Sequence, residues 1–117
     1  MVEQRFEKTK RLLSSAEFNR VFDSPHRRVG NRHLLILAKR NNLVHGRIGF
    51  VIAKKNVRLA SERNRIKRVF REFFRLNPNL FAAFDLVVLV KRGLDQRSNA
   101  EIRQLISRLC VELQKPK

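Results

Sequence analysis

The sequence predicts an α/β sandwich in which helices pack on a small mixed sheet. Three observations predict it. Short apolar runs, HLLILAK at 33–39, RIGFVIA at 47–53 and FDLVVLV at 84–90, have the length and composition of strands. Segments with apolar residues at helical spacing precede, separate and follow them. The last two runs are joined by a helix-length segment, which is the arrangement of a β-α-β unit with parallel strands. A length of 117 residues suits one domain, residues 1–117, with a single modest core.

The elements follow in order. Residues 1–11 are polar and mixed in charge, and a flexible arm is expected there. Ser14 and Glu17 have the spacing of a capping box, in which each side chain satisfies a backbone donor of the other residue. A short helix carrying Phe18, Val21 and Phe22 should follow, closed by Pro25. One further short strand is expected near residues 27–30, ahead of the strand at 33–39. Asn41-Asn42 and Gly46 supply turn chemistry before the strand at 47–53. A helix from about Asn56 to Leu76 should end at Asn77-Pro78, because the residue before proline disfavours the α region. After the strand at 84–90, Ser98 and Glu101 form a second capping box. Ile102, Leu105, Ile106, Leu109 and Leu113 then share one helical face. The expected order is α-β-β-β-α-β-α.

Composition narrows the function. The 27 Lys+Arg against 10 Asp+Glu leave a formal charge of +17, while 43% hydrophobic residues suffice for a globular core. Such an excess is self-repulsive and points to a polyanionic partner. No run approaches the roughly 18 apolar residues of a membrane span. A lone cysteine, Cys110, excludes an internal disulfide and fits a reducing, cytoplasmic setting.

The charge is concentrated in ERNRIKRVFRE, residues 62–72. On a helical wheel Leu59, Ile66, Val69, Phe70, Phe73 and Phe74 form a core-facing stripe. Asn64, Lys67, Arg68, Arg71 and Arg75 occupy the opposite arc, and Arg63 and Arg65 flank the stripe. The pairs 63/67, 67/71 and 71/75 are like-charged at i,i+4, each costing about 0.2–0.5 kcal/mol. Only Glu62 and Glu72 relieve them. A merely solvated face would intersperse the two signs, so this one is read as a phosphate-binding surface. Parallel strands would bring Lys54-Lys55 and Lys91-Arg92 to the same sheet edge, where the intervening helix starts and adds Arg58.

Chemistry intrinsic to the chain is not evident. His26, His33 and His45 lack metal-ligand spacing and Cys partners, Cys110 sits beside an apolar helical face, and no glycine-rich loop ends in GK[ST]. No catalytic residue and no metal site is therefore assigned. Phe18 and Phe22 either pin their helix to the sheet or face a groove where unpaired bases stack, an interaction of about 1–3 kcal/mol per base. The readings left by the residues are a specific RNA binder, a general RNA-binding protein such as a ribosomal component, an autonomous nuclease and a membrane-surface protein. The last two are disfavoured by the sparse acid-base inventory and by the core's need for the helix stripe.

RIGFVIAKKNVRLAS, ERNRIKR and FDLVVLVKRG, together with KRLLSSAEFNRVF, closely resemble the protein subunit of bacterial ribonuclease P over nearly the whole chain. The family's RNR signature stands here as Arg63-Asn64-Arg65. The resemblance implies a protein that binds a large catalytic RNA, the RNA carrying the hydrolysis with bound Mg²⁺, to remove 5′ leaders from precursor tRNA. The resemblance places the RNR helix against the catalytic RNA, and with the charge pattern this makes Lys54, Lys55, Arg58, Arg63, Asn64, Arg65, Lys67, Arg68, Arg71 and Lys91 the expected RNA-binding residues. It also implies a leader cleft at Phe18 and Phe22, and a left-handed β-α-β crossover in place of the usual right-handed one. Some relatives carry a further aromatic in the strand that reads LLILAK here, where only aliphatics occur.

Overall fold

A computed structural model describes residues 15–42, 46–78 and 83–114. The elements are α1 (Ser15–Asp23), β1 (Arg27–Gly30), β2 (Leu34–Arg40), β3 (Arg47–Ile52), α2 (Ala60–Leu76), β4 (Phe84–Val90), a 3-10 turn (Leu94–Gln96) and α3 (Asn99–Gln114). The expected order holds. The expected arm at 1–11, Ser14 of the first capping box and His45 lie outside the described residues.

The sheet runs β1-β2-β4-β3. β2 pairs antiparallel with β1 and β4, and β3 pairs parallel with β4. The β3-α2-β4 unit and its crossover agree with what the resemblance implies. Alternation divides the side chains between two faces. Even-numbered residues of β2, β3 and β4 line up across the sheet with odd-numbered residues of β1, as in the row Val29–Ile36–Val88–Phe50, and pack under α2 and α3. From the helices come Ile66, Val69, Phe70 and Phe74 of α2 and Ile102, Ile106, Leu109, Cys110 and Leu113 of α3. Phe50 meets Phe70 edge-on at 5.6 Å between ring centroids. This is the main core, and it explains why β2 and β4 are nearly continuous apolar runs: both are covered on two sides.

Among the described residues the opposite face carries α1, which buries Val21 against Leu37 and Val87. Gly49 pairs with Val87 in this row, so nothing larger than a hydrogen projects there from β3.

Two expectations about α2 are corrected. The helix begins at Ala60 rather than near Asn56, because Asn56 and Val57 both donate backbone N–H groups to the Ala53 carbonyl in a turn. Val57 is buried, and the Asn56 side chain donates to the Val90 carbonyl at 3.1 Å, so these residues are held in the turn by the sheet. Leu59, expected in the core stripe, is the extended N-cap and is 63% exposed. The other end is as expected: α2 stops at Leu76, and Asn77 donates through its side chain to the Phe73 carbonyl and through its backbone to Phe74. The second capping box is also present, with Ser98 N donating to Glu101 Oε1 at 2.8 Å and Glu101 N to Ser98 Oγ at 3.1 Å.

Candidate nucleic-acid interface

The open face of the sheet is built from three rows that follow from register. Lys39, Asp85 and Arg47 form the first, Leu37, Val87 and Gly49 the second, and Leu35, Leu89 and Val51 the third. The second lies under Val21 of α1. The third is only half-buried, as is Phe18, while Phe22 is 42% exposed. The Phe18 and Phe22 rings stack on one another at 5.6 Å with an interplanar angle of 26°. Among the described residues α1 leaves this third row as a half-buried apolar shelf, with Phe18 packed at the same cluster and Phe22 stacked on Phe18. Phe18 packs on the sheet, and Phe22 extends from it.

The polar row fixes α1. Arg47 donates through Nε and Nη2 to the two oxygens of Asp85, each at 2.8 Å, and through Nη1 to Glu17 on α1. Asn41 Nδ2 donates to Asp85 Oδ1 at 2.8 Å. The side chains of Arg47 and Asp85 are only 15% and 3% exposed. Hydrogen bonding to Asp85 raises the Arg47 guanidinium above its ordinary value, against the opposing effect of burial, so it stays charged throughout the working range. Sequence reading missed this network. Its only signal was one charge inside each of two apolar strands, and pairing them requires the register.

The third row leads to a basic pole. Register pairs Ile52 and Leu34 with Val90, so the segments after β3 and β4 and before β2 meet at one edge. Lys54, Lys55, Arg58, Lys91 and Arg92 are exposed there. Lys91 Nζ donates to the Asn31 carbonyl at 2.8 Å. The expected convergence of the two dibasic pairs is therefore present.

The cations of α2 divide into two groups. Arg63 donates to the carbonyls of Val57 and Arg58 at 2.9 and 3.0 Å, closing the turn before the helix. Arg65 donates to Glu62, to Asn99 Oδ1 at 2.7 Å and to the Asp95 carbonyl at 3.1 Å, tying α2 to the start of α3. Both arginines of the RNR triplet thus anchor the scaffold. Arg71 lies over the Phe50 ring at 5.7 Å, and Arg75 pairs with Glu72. Asn64 and Arg68 are exposed and Lys67 is half-buried. Arg68, like the cations of the pole, is exposed.

Two further candidates are engaged or buried. His26 Nδ1 accepts the Arg40 backbone N–H at 3.0 Å. Burial pushes the Cys110 thiol up to about 12. Among the described residues no three metal-ligating side chains gather, and none of their helices is long and apolar enough to cross a membrane.

Comparison with known proteins agrees with this architecture. The family described as Ribonuclease P matches residues 6–114. A Pseudomonas aeruginosa protein named ribonuclease P protein component is 47% identical over 113 residues, covering 97% of this chain and 84% of the relative. A Pseudomonas putida protein of the same name is likewise 47% identical over 113 residues, with the same coverage. The structure of Staphylococcus aureus RNase P protein superposes with a TM-score of 0.82 at 26% identity, over 92% of this chain and 97% of that one. That of the Thermotoga maritima RNase P protein gives 0.77 at 25% identity, over 91% and 99%. With most of its length matched by the family and nearly half its residues shared with these relatives, the chain belongs to the ribonuclease P protein family.

Proposed function

We propose that this chain binds the catalytic RNA of ribonuclease P through its basic pole and the exposed face of α2, and holds the single-stranded 5′ leader of precursor tRNA on the shelf beside α1. As a member of its family the chain acts in tRNA 5′ maturation together with an RNA subunit, as part of a ribonucleoprotein endonuclease. One observation carries the finer reading. The half-buried row Leu35–Leu89–Val51, walled by Phe18 and Phe22, ends at the same strand termini that bear Lys54, Lys55, Lys91 and Arg92. An extended strand can lay its bases on the shelf and its phosphates on the pole.

The division of labour follows from chemistry. A-form RNA offers a narrow major groove that side chains cannot read, so a small basic protein binds phosphates, shape and unpaired nucleotides. Holding the leader converts a loosely tethered strand into a positioned one and removes part of the entropic cost of reaching the reacting phosphodiester. Hydrolysis is assigned to the RNA subunit with its Mg²⁺. Among the described residues no three carboxylate, His or Cys side chains gather, and five of the eight described carboxylates are already engaged: Asp85 and Glu17 by Arg47, Glu62 by Arg65, Glu72 by Arg75, and Glu101 by Ser98. The partners are accordingly the catalytic RNA and precursor tRNA, with no membrane, and the setting is cytoplasmic.

The test is reconstitution. Purified protein should restore cleavage of precursor tRNA by the RNA subunit at near-physiological salt. Protein that binds both RNAs and leaves cleavage unchanged would instead be a general RNA-binding component. Cleavage by the protein alone would make it a nuclease in its own right.

A further inference from the structure

A second hollow lies away from the shelf, on the main-core side of the molecule. It is bounded by His33 at the start of β2 and by Arg97, Glu101, Gln104, Leu105 and Arg108 around the first half of α3, and its volume is about 260 Å³. We propose that this hollow binds one nucleotide of an RNA strand, its phosphate held by Arg97 and Arg108 and its base or ribose set against Leu105 and the His33 ring. The inference rests on the RNA-binding function proposed above and adds a contact site on α3 that neither the basic helix nor the leader shelf contains.

Three features of the hollow suit such a ligand. The first is a surplus of donors. Two guanidinium groups and a carboxamide face one carboxylate, Glu101, whose Oε1 already accepts the Ser98 N–H at 2.8 Å and whose Oε2 lies 3.7 Å from Arg97. Each guanidinium carries five N–H donors, so Arg97 retains donors for an incoming phosphate.

The second is a fixed wall. Gly93 adopts φ +100°, and a Cβ there would meet His33 Cε1 and Nδ1 at 3.1 Å, so the ring lies close against the Gly93 backbone. Arg97 Nη2 is 3.3 Å from His33 Nε2, and His33 Nδ1 is 3.4 Å from the Arg92 carbonyl. A guanidinium cannot accept, so Nε2 is the acceptor and Nδ1 carries the proton toward Arg92. The imidazole is thereby oriented from both nitrogens.

The third is position and size. His33 O accepts the Lys91 backbone N–H at 2.9 Å, which places the hollow next to the Lys91–Arg92 end of the basic pole. An RNA strand leaving the pole in this direction meets it next. At about 260 Å³ it falls just below the roughly 300–1,000 Å³ of pockets for drug-sized ligands, and a single nucleotide is the matching unit.

The experiment compares the full-length protein with Arg97→Gln/Arg108→Gln, with Arg108→Gln alone and with Arg103→Gln. Arg103 is exposed on the same helix but does not line the hollow, so its removal matches the single charge change of Arg108→Gln. Affinity is measured against salt for three probes: the catalytic RNA subunit, a leader-bearing precursor tRNA and a mature tRNA. Melting temperatures confirm that each variant folds. For at least one probe, Arg108→Gln should flatten the slope of log affinity against log salt by about 1, and the double variant by about 1–2, with roughly tenfold weaker binding near 0.15 M salt. Arg103→Gln should change the slope by less than about 0.3. The probe that responds identifies whether the nucleotide belongs to the catalytic RNA or to the substrate. If the hollow variants behave as Arg103→Gln with all three probes, the site is refuted while the basic pole stands. A wild-type slope near zero would remove both this inference and the function it rests on.

Discussion

The Arg47–Asp85 pair gives the sharpest quantitative prediction. Replacing Arg47 by Met removes two 2.8 Å bonds from a carboxylate that is only 3% exposed and leaves it the Asn41 amide alone. Breaking one side of a buried ion pair costs about 3–5 kcal/mol, because the surviving charge is neither solvated nor compensated. Glu17, at 30% side-chain exposure, rehydrates and adds little to the loss. For a domain of this size, 3–5 kcal/mol corresponds to a fall in Tm of about 10–25 °C. Asp85→Val should cost a similar amount by stranding Arg47. The double variant Arg47→Met/Asp85→Val should lie within about 1.5 kcal/mol of wild type, since an apolar pair of similar volume carries no desolvation debt. Urea unfolding of the four proteins closes the cycle, with an expected coupling of at least about 4.5 kcal/mol, the sum of the single losses less that of the double variant. Single-variant losses below about 1 kcal/mol, or a double variant that is simply additive, would refute the view that Arg47 and Asp85 form a coupled buried pair across β3 and β4.

Other predictions address function and chemistry. Arg68→Ala should leave the melting temperature within a few degrees of wild type and weaken holoenzyme activity at low Mg²⁺, with partial rescue at high Mg²⁺. Arg65→Ala should show the same RNA defect and also lose stability by about 1–3 kcal/mol, because its bonds to Glu62, Asn99 and Asp95 are lost; calorimetry separates the two effects. Phe18→Ala should reduce affinity for leader-bearing precursor tRNA by about 1–3 kcal/mol with little change for mature tRNA, and equal loss on both would assign the ring to packing alone. Cys110, raised to about 12 from an ordinary 9.0, holds about a thousandfold less thiolate at neutral pH than a free cysteine. Its reaction with a disulfide reagent should therefore be fast only in denaturant. The Ser98 N–H lowers the Glu101 carboxyl below its ordinary 4.5, so the cap stabilises α3 above that pH and is lost as pH falls through the depressed value. Amide protection, taken relative to the intrinsic exchange rate at each pH, should fall at the first turn of α3 on acidification, and Glu101→Gln should abolish that fall.

Much of the fold is legible in the residues, for local reasons. FDLVVLV specifies β4 at both ends because a central strand covered on two faces is apolar nearly throughout, the ion-paired Asp85 being the exception. Ser98 and Glu101 announce α3 because a capping box depends only on spacing. Asn56–Leu59 were misread as helix because their pattern is helix-compatible, whereas the turn there is imposed by Val90 across the sheet. The candidate site divides in the same way. Convergence of Lys54-Lys55 with Lys91-Arg92 follows from parallel pairing, which chain order implies. The anchoring roles of Arg63 and Arg65 were hidden, since a charge count cannot tell an arginine bound to its own scaffold from one left open. The Arg47–Asp85–Glu17 clamp joins three elements distant in sequence, and only the register brings them together.

The central claim is that cations gathered at one pole and along α2 dock ribose-phosphate chains. The most direct measurement is the affinity of the wild-type protein for the catalytic RNA across a salt series. Lys54, Lys55, Arg58, Arg68 and Arg92 are exposed at this surface, so engagement of most of them predicts a slope of log affinity on log salt of about −3 to −5. The Lys54→Gln/Lys55→Gln variant should be shallower by about 1–2. A wild-type slope near zero, or a variant slope unchanged from wild type, would contradict it.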